Sequence, residues 1–307
     1  MPRYLAYRIV AMLPIIVGVT LIVFVVGRLA PGDPVQILFG DISNPTVEAR
    51  ARAQLGLDRP LPVQYLRFLG SLARLDFGSS YVYRGIRVSA IIGQALPISL
   101  ALGTAALLVA VLLGVPLGLA AALRPRSLLD QGVRLLTLLG VAVPFFVVAV
   151  GLVLLFSLRL RWLPVSGWGT PAHLVLPVLV LMLRPTAYIT RITRLSVLQV
   201  LGQDYIRTAR AKGLPVSAVT LRHALRNAAI TITTTVGLAL SLAFTGALVT
   251  EIIFGIPGMG RATVTAVFQR DYPVIEAVVL LYTALFLLLN LAMDLAYAAL
   301  DPRIHYA

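Results

Sequence analysis

The sequence predicts an all-α polytopic membrane protein with six transmembrane helices, and composition, hydropathy and the spacing of apolar runs carry that expectation. Of its 307 residues, 59% are hydrophobic and only 12% charged, against roughly 45–50% and about 25% in soluble globular chains. The mean hydropathy is +0.93. Crossing a hydrocarbon core takes about 20 mainly apolar residues. Six stretches meet that length, near Ile9–Val26, Pro97–Leu123, Val133–Leu158, Leu174–Leu195, Ile230–Thr250 and Val274–Leu300.

The formal charge of +14 would suit a nucleic-acid partner only if the basic residues clustered on a water-facing surface. They lie instead between long apolar runs, which points to membrane lipid and away from nucleic acid. The absence of cysteine excludes disulfides, thiolate catalysis and cysteine-based metal sites. His173, His223 and His305 are far apart and have no partner at metal-ligand spacing, so they read as interfacial or loop residues, with no metal or cofactor implied.

The first apolar run follows Arg3 and Arg8 and has the look of a signal peptide. It is too long for such a core and has no convincing small-x-small cleavage site, so residues 1–29 read as a retained transmembrane helix. Orientation follows from the short connections. Arg124, Arg126 and Arg134 occupy the link between spans two and three. The link between four and five carries Arg191, Arg194, Arg207, Arg210, Lys212, Arg222 and Arg226 against the single acid Asp204. The last connection offers Glu251, Asp271 and Glu276 against Arg261 and Arg270. Both termini are therefore expected in the cytoplasm and residues 30–95 outside. That outer segment mixes turn residues (Pro31-Gly32-Asp33-Pro34) with an amphipathic stretch, Tyr65–Leu75, in which Leu66, Leu69 and Leu72 recur at helical spacing. It reads as a small ordered cap, leaving 96–307 as a five-helix core.

The most informative stretch is Gln203-Asp204-Tyr205-Ile206-Arg207-Thr208-Ala209-Arg210-Ala211-Lys212-Gly213-Leu214-Pro215. Asp204 is a residue that can accept from the free N–H groups of a helix start, and Gly213 one that can take the left-handed conformation ending it. Arg210 and Lys212 fall in the last turn, where the helix dipole favours positive charge. A helix this short does not persist alone in water, where about 12–15 residues are needed. It must dock, and a second protein is the natural partner; a basic interfacial helix that only orients the chain is the plain alternative.

Together with Arg222-His223-Ala224-Leu225-Arg226-Asn227-Ala228, this run resembles the inner-membrane permeases of ATP-binding-cassette (ABC) importers, and among them the first permease subunit of dipeptide and oligopeptide systems. Aligned on Gly213, the importer pattern Glu-Ala-Ala, three residues, Gly keeps Ala209 and Gly213. Arg207 replaces its Glu and Thr208 its first Ala, departures expected of the peptide branch. Similar matches occur at Leu29-Ala30-Pro31-Gly32-Asp33-Pro34, Ile253-Phe254-Gly255-Ile256-Pro257-Gly258-Met259-Gly260 and Leu300-Asp301-Pro302-Arg303, so the resemblance spans nearly the whole chain.

The resemblance implies a type I ABC importer-like transmembrane domain in a bacterial cytoplasmic (inner) membrane. It implies a second permease subunit in a heterodimer, ABC ATPase subunits on the cytoplasmic face and an extracytoplasmic solute-binding protein. A coupling helix at 203–213 would seat in the ATPase, with the role carried by Asp204, Tyr205, Arg207, Thr208, Ala209, Arg210, Ala211, Lys212 and Gly213. Peptide is the implied solute, with nickel chelates, glutathione and sugars as alternatives within the family.

The chain has no means to power itself. A P-loop needs Gly-Lys-Ser/Thr after a glycine-rich turn, and the only lysine, Lys212, lies between Ala211 and Gly213. No hydrolytic triad or His-Glu-x-x-His helix is present, so an enzyme is not expected. Within the spans, ionisable groups usually face a cavity. Arg184, followed by Pro185, is a candidate for the solute path, where it would meet a peptide carboxylate; pairing or snorkelling is the other reading. Asn290 and Asp294 are weaker candidates, Asp294 reading more readily as a structural or interface residue, and Gln94 is weaker still. Gly114-x-x-x-Gly118 reads as helix packing, and Trp162 and Trp168 as part of the aromatic belt. The rival classes are an ion-gradient-driven secondary transporter, which predicts midplane acids and broken helices, and a receptor-like membrane protein with no intracellular motor.

Overall fold

The computed structural model describes residues 2–29, 35 and 45–300, and among these the chain is helices and turns with one isolated antiparallel bridge between Ser79 and Arg87. In chain order the first helices are α1 Pro2–Leu29, α2 Pro45–Leu55, α3 Leu61–Ala73, α4 Val88–Leu123, α5 Leu128–Ala142 and α6 Phe145–Leu152, the last continued by a π-helix, Val153–Arg159. Then come α7 Pro171–Leu201, α8 Asp204–Ala211, a turn at Val216–Ala218 leading into a second π-helix, Val219–Leu225, and α9 Arg226–Ile253, α10 Met259–Gln269 and α11 Tyr272–Leu300. The Ala30–Pro34 and Asp301–Arg303 motifs lie outside the described residues.

Four of these helices are long and apolar enough to cross a membrane, over Val10–Leu29, Val88–Leu123, Pro171–Leu201 and Tyr272–Leu295. A fifth crossing exists if α5 and the α6/π segment count as one, but the pair is bent by 100°. The apolar run expected to span over Val133–Leu158 is therefore divided between two helical pieces. The cause is Pro144. It has no N–H to donate and it disfavours the helical conformation of its predecessor, so Val143 is extended (φ −79°, ψ 125°) and α5 stops at Ala142.

The chain forms two compact units. One comprises Met1–Pro97 and Gly258–Leu288. Its core sets Val88, Ile92 and Ala95 of α4 against Met259 and Ala266 of α10 and Val274, Ala277 and Val278 of α11. α3 is fastened to α1 by aromatic rings, with Phe24 centred 5.3 Å from Tyr65 and 5.9 Å from Phe68, and by a 2.9 Å hydrogen bond between the Tyr65 and Thr20 hydroxyls. The Leu66, Leu69, Leu72 spacing does not define the holding face, since Leu66 is 67% exposed. Asp271, buried at the α10–α11 corner, accepts from the Ser80 hydroxyl and from the Tyr81 N–H at 3.0 Å, which pins the turn between α3 and α4.

The other unit comprises Ile98–Pro257 and Leu289–Ala307, with α7 at its centre. Leu176, Val180 and Leu181 of α7 pack with Leu102 and Ala106 of α4 and with Ala247, Phe254 and Ile256 at the end of α9. Gly114 and Gly118 bring α4 close to α7. A Cβ on Gly118 would lie 2.5 Å from the Thr190 carbonyl oxygen and 2.7 Å from Thr193 Cβ, and one on Gly114 2.9 Å from Ile189 Cγ2. The packing meaning of this glycine pair thus holds. α9 ends in a Schellman turn: Gly255 is left-handed (φ 61°), its N–H reaches the Ile252 carbonyl at 3.2 Å, and that of Ile256 reaches Glu251 at 2.8 Å. The Ser99 hydroxyl of α4 donates to the buried Glu251 carboxylate at 2.5 Å.

Candidate functional site

α8 is the short polar helix the sequence singled out, and its ends separate the expected signals. Gly213 is left-handed (φ 76°) as expected. Its N–H reaches the Arg210 carbonyl at 3.0 Å and the Leu214 N–H the Ala209 carbonyl at 3.4 Å, the paired bonds of a Schellman stop. The N-terminal expectation is corrected. Gln203, extended at φ −78°, ψ 151°, is the capping residue, no side chain caps the helix, and Asp204 is already its first turn. The Asp204 carboxylate instead accepts from Arg207 Nη1 at 3.2 Å. With both side chains strongly exposed, that pair contributes at most a few tenths of a kcal/mol, about 0.5 at most.

One face of α8 is seated on the chain itself. Ile206 and Ala209, one turn apart, are buried against Val219 of the second π-helix and are flanked by Val200 and Leu201 at the end of α7. Burying the Ile206 side chain contributes roughly 1.5–3 kcal/mol, which overcomes the inadequate length of the helix. The docking that the length demands is thus met in the first place by the chain's own α7–α9 connection. Tyr205, Arg207, Thr208, Arg210, Ala211, Lys212 and Gly213 form the opposite, exposed side. Ala209, conserved in kind with the importer pattern quoted above, belongs to the seat; Arg207, Arg210 and Lys212 make the free surface basic.

The seat is tied to the spans. Near the C-terminal end of α7, Arg194 forms a two-pronged bond to Asp130 of α5, Nε to Oδ1 at 2.5 Å and Nη2 to Oδ2 at 2.9 Å. Asp130 also accepts the Arg126 N–H at 3.0 Å, while its own N–H is capped by the Ser127 hydroxyl at 3.2 Å. Fully buried on the Asp130 side, this charge-assisted fork fixes α5 to α7. The sequence contained a signal for Asp130, the Ser127-x-x-Asp130 helix start; its pairing with Arg194 had none. Past α8, Ala224 and Ala228 pack with Val197 of α7, Ala122 of α4 and Ile232 of α9, so the α8 seat is continuous with α4, α7 and α9.

Arg184 is exposed on α7 and has no hydrogen bond or ion pair among the described residues. It heads a stripe of exposed residues, Arg184, Tyr188, Arg191, Leu195 and Gln199, at steps of four and three that trace one helical face. Lower on this face, Tyr188, Arg191 and Leu195 line a groove of about 880 Å³ shared with Arg134, Leu135 and Leu138 of α5. Asn290 and Asp294 lie one turn apart on α11, Asn290 exposed and Asp294 half-buried; neither bonds to Arg184. Of the isolated histidines, His173 Nδ1 meets the Thr170 hydroxyl at 2.7 Å, and the described residues contain no group of three or more His, Asp or Glu placed to hold a metal.

The chain is thus a polytopic helical protein whose connection between α7 and α9 carries a seated, basic, two-turn helix. Residues 114–306 match the family described as binding-protein-dependent transport system inner membrane component, and residues 1–103 match its N-terminal companion. The chain belongs to this family and is an inner-membrane ABC importer permease. It is 40% identical to the dipeptide transport system permease protein DppB of Bacillus subtilis, over 99% of this chain and 98% of that one. It is 38% identical to the oligopeptide transport system permease protein AppB of the same organism, over the full length of both, and 39% identical to the glutathione transport system permease protein GsiC of Salmonella paratyphi A, again over the full length of both. A solved chain of the MetNI methionine ABC transporter in an inward-facing conformation shares the fold, with a TM-score of 0.57 at 16% identity, covering 69% of this chain and 96% of that one.

Proposed function

We propose that this permease moves short peptides, di- or oligopeptides, into the cell by alternating access, with ATP hydrolysed by partner subunits and the work delivered through α8. The observation that carries this reading is the division of α8 into a buried seat, Ile206 and Ala209, and an exposed basic side. A helix held this way transmits a push to α7, and the Asp130–Arg194 fork and the glycine seam pass it to α5 and α4. Closure of the ATPases around the exposed side would then tilt these helices as a body and switch access. The site comprises Asp204, Tyr205, Arg207, Thr208, Ala209, Arg210, Ala211, Lys212 and Gly213, with Arg184 and the α7 face below it as the solute path and Asn290 and Asp294 as secondary candidates. In this reading α9 joins the four apolar helices and the bent pair as a further span, giving the six of a type I importer domain, and the arginine-rich connections favour cytoplasmic termini with residues 30–95 outside. A second permease, ATPase subunits and an external binding protein complete the assembly.

Peptide as the solute is supported by the relatives, whose names specify dipeptides, oligopeptides and glutathione, itself a tripeptide. Family membership sets aside the gradient-driven alternative. The direct test is uptake of radiolabelled alanine peptides of two to five residues by the assembled transporter in proteoliposomes. Uptake that requires ATP and persists after the ion gradients are collapsed is expected. Uptake that survives without ATP, or that is seen for metal chelates and not for peptides, would overturn it.

A further inference from the structure

The groove of about 880 Å³ between α5 and α7 falls within the roughly 300–1,000 Å³ of small-molecule sites. Among the described residues, four arginines line it, Arg126, Arg134, Arg191 and Arg194, and no acidic residue does. Asp130, buried, already holds Arg194 in the two-pronged bond and accepts the Arg126 N–H. The field of Arg134 reaches it too, but one carboxylate set against four guanidinium groups leaves positive charge in excess. Arg126, Arg134 and Arg191 are all exposed, and their side chains form no ion pair or hydrogen bond among the described residues.

Excess cations in a concave site with apolar walls attract an anion, because walls of low dielectric constant focus their field. A guanidinium fork also matches a carboxylate with two parallel bonds. Leu135, Leu138 and Leu195 supply the apolar wall, which suits an uncharged side chain next to the carboxylate. The groove is also continuous with the face of α7 that bears Arg184. Arg191 follows Arg184 by two turns on that exposed face, about 10 Å along the axis, so a carboxylate leaving one cation meets the next. Arg184 lies near the middle of the Pro171–Leu201 span, a depth that lipid headgroups do not reach and where a charged side chain faces a cavity.

Resting on the peptide reading above, with this face of α7 as the solute path, we propose that the groove sorts peptides by charge. Arg134 of α5 and Arg191 of α7 hold a carboxylate of the solute, so acidic peptides are carried in preference to basic ones of the same size. The permease thereby adds a selectivity of its own to that of the binding protein.

The test is uptake of radiolabelled Ala-Glu-Ala and Ala-Lys-Ala by the complete transporter, binding protein included, in proteoliposomes. The binding protein's own preference cancels, because it is the same beside every permease variant. With Arg134→Gln and Arg191→Gln together, kcat/KM is expected to fall about threefold for the acidic peptide and to rise about threefold for the basic one, so that their ratio drops about tenfold. Either change alone should lower the ratio about threefold, and both positions are exposed, so folding does not depend on them. The double change to Lys keeps the charge and should keep most of the ratio. The gap between the unaltered and the Gln permease should also narrow as ionic strength rises above about 0.15 M. A ratio unchanged by the Gln pair would overturn the proposal, and so would an equal loss for both peptides, the sign of a lipid or subunit contact. ATP-dependent uptake of Ala-Ala-Ala by the unaltered transporter would leave the peptide reading standing in either case.

Discussion

The α4–α7 seam and α8 are held to the protein by opposite means. At the seam, two glycines let helices approach until a single methyl group would collide with backbone, and a buried ionic fork locks the neighbouring helix. α8 is held by two small buried contacts and by the backbone bonds that stop it. In the proposed coupling the close-packed seam would pass displacement on as a rigid body, while the uncommitted polar side of α8 would be the surface a partner grips.

The contrast can be broken most severely at Gly118. Replacement by Val forces Cβ into the Thr190 carbonyl and is expected to destabilise by several kcal/mol, above the roughly 1–3 of ordinary overpacking, and to remove the protein from the monodisperse peak in fluorescence-detected size-exclusion chromatography. Gly132→Ala is the matched control, because its Cβ would meet nothing within 4 Å. Next is Asp130→Ala, which leaves the Arg194 guanidinium largely buried and unpaired at a loss of about 3 kcal/mol, read as a lowered midpoint in thermal unfolding. Gly213→Ala comes third: there is room for the methyl group, but φ of 76° strains any side chain, and a loss of about 1 kcal/mol is expected, confined to α8 and visible as faster amide hydrogen exchange there. Smallest is Asp204→Ala, which removes an exposed ion pair and no cap, and is expected to shift the unfolding midpoint by no more than the equivalent of about 0.5 kcal/mol. A larger loss would restore the capping role that the sequence suggested.

Much of this was legible before the structure, for physical reasons that also explain the exceptions. Apolar length marks a span because lipid leaves no other solution, and the left-handed turn at Gly213 was readable because few residues other than glycine adopt it. The break at Pro144 escaped notice because hydropathy averages over a window, and proline inside a span does not always bend it. Pro14 lies within α1 and Pro177 and Pro185 within α7, all in continuous helices. Asp130 and Arg194 are 64 residues apart, so no local pattern could join them. The seat of α8 was hidden for the same reason: Ile206 and Ala209 mark a face, but the burying residue, Val219, comes from a π-helix that no periodicity announced. Likewise the groove on α5 and α7 brings Arg134 and Arg191 into one lining, and read along the sequence the two served only to orient the chain.

The most direct measurement of the coupling account is the amount of ATPase subunit that copurifies with the tagged permease when Arg207 and Arg210 are both changed to Glu. Both side chains lie on the free side of α8, so the yield and unfolding midpoint of the permease should match the unaltered protein while bound ATPase falls at least about tenfold. ATPase retained at the original level, with the permease intact, would contradict the assignment of this helix as the point where the driving force enters.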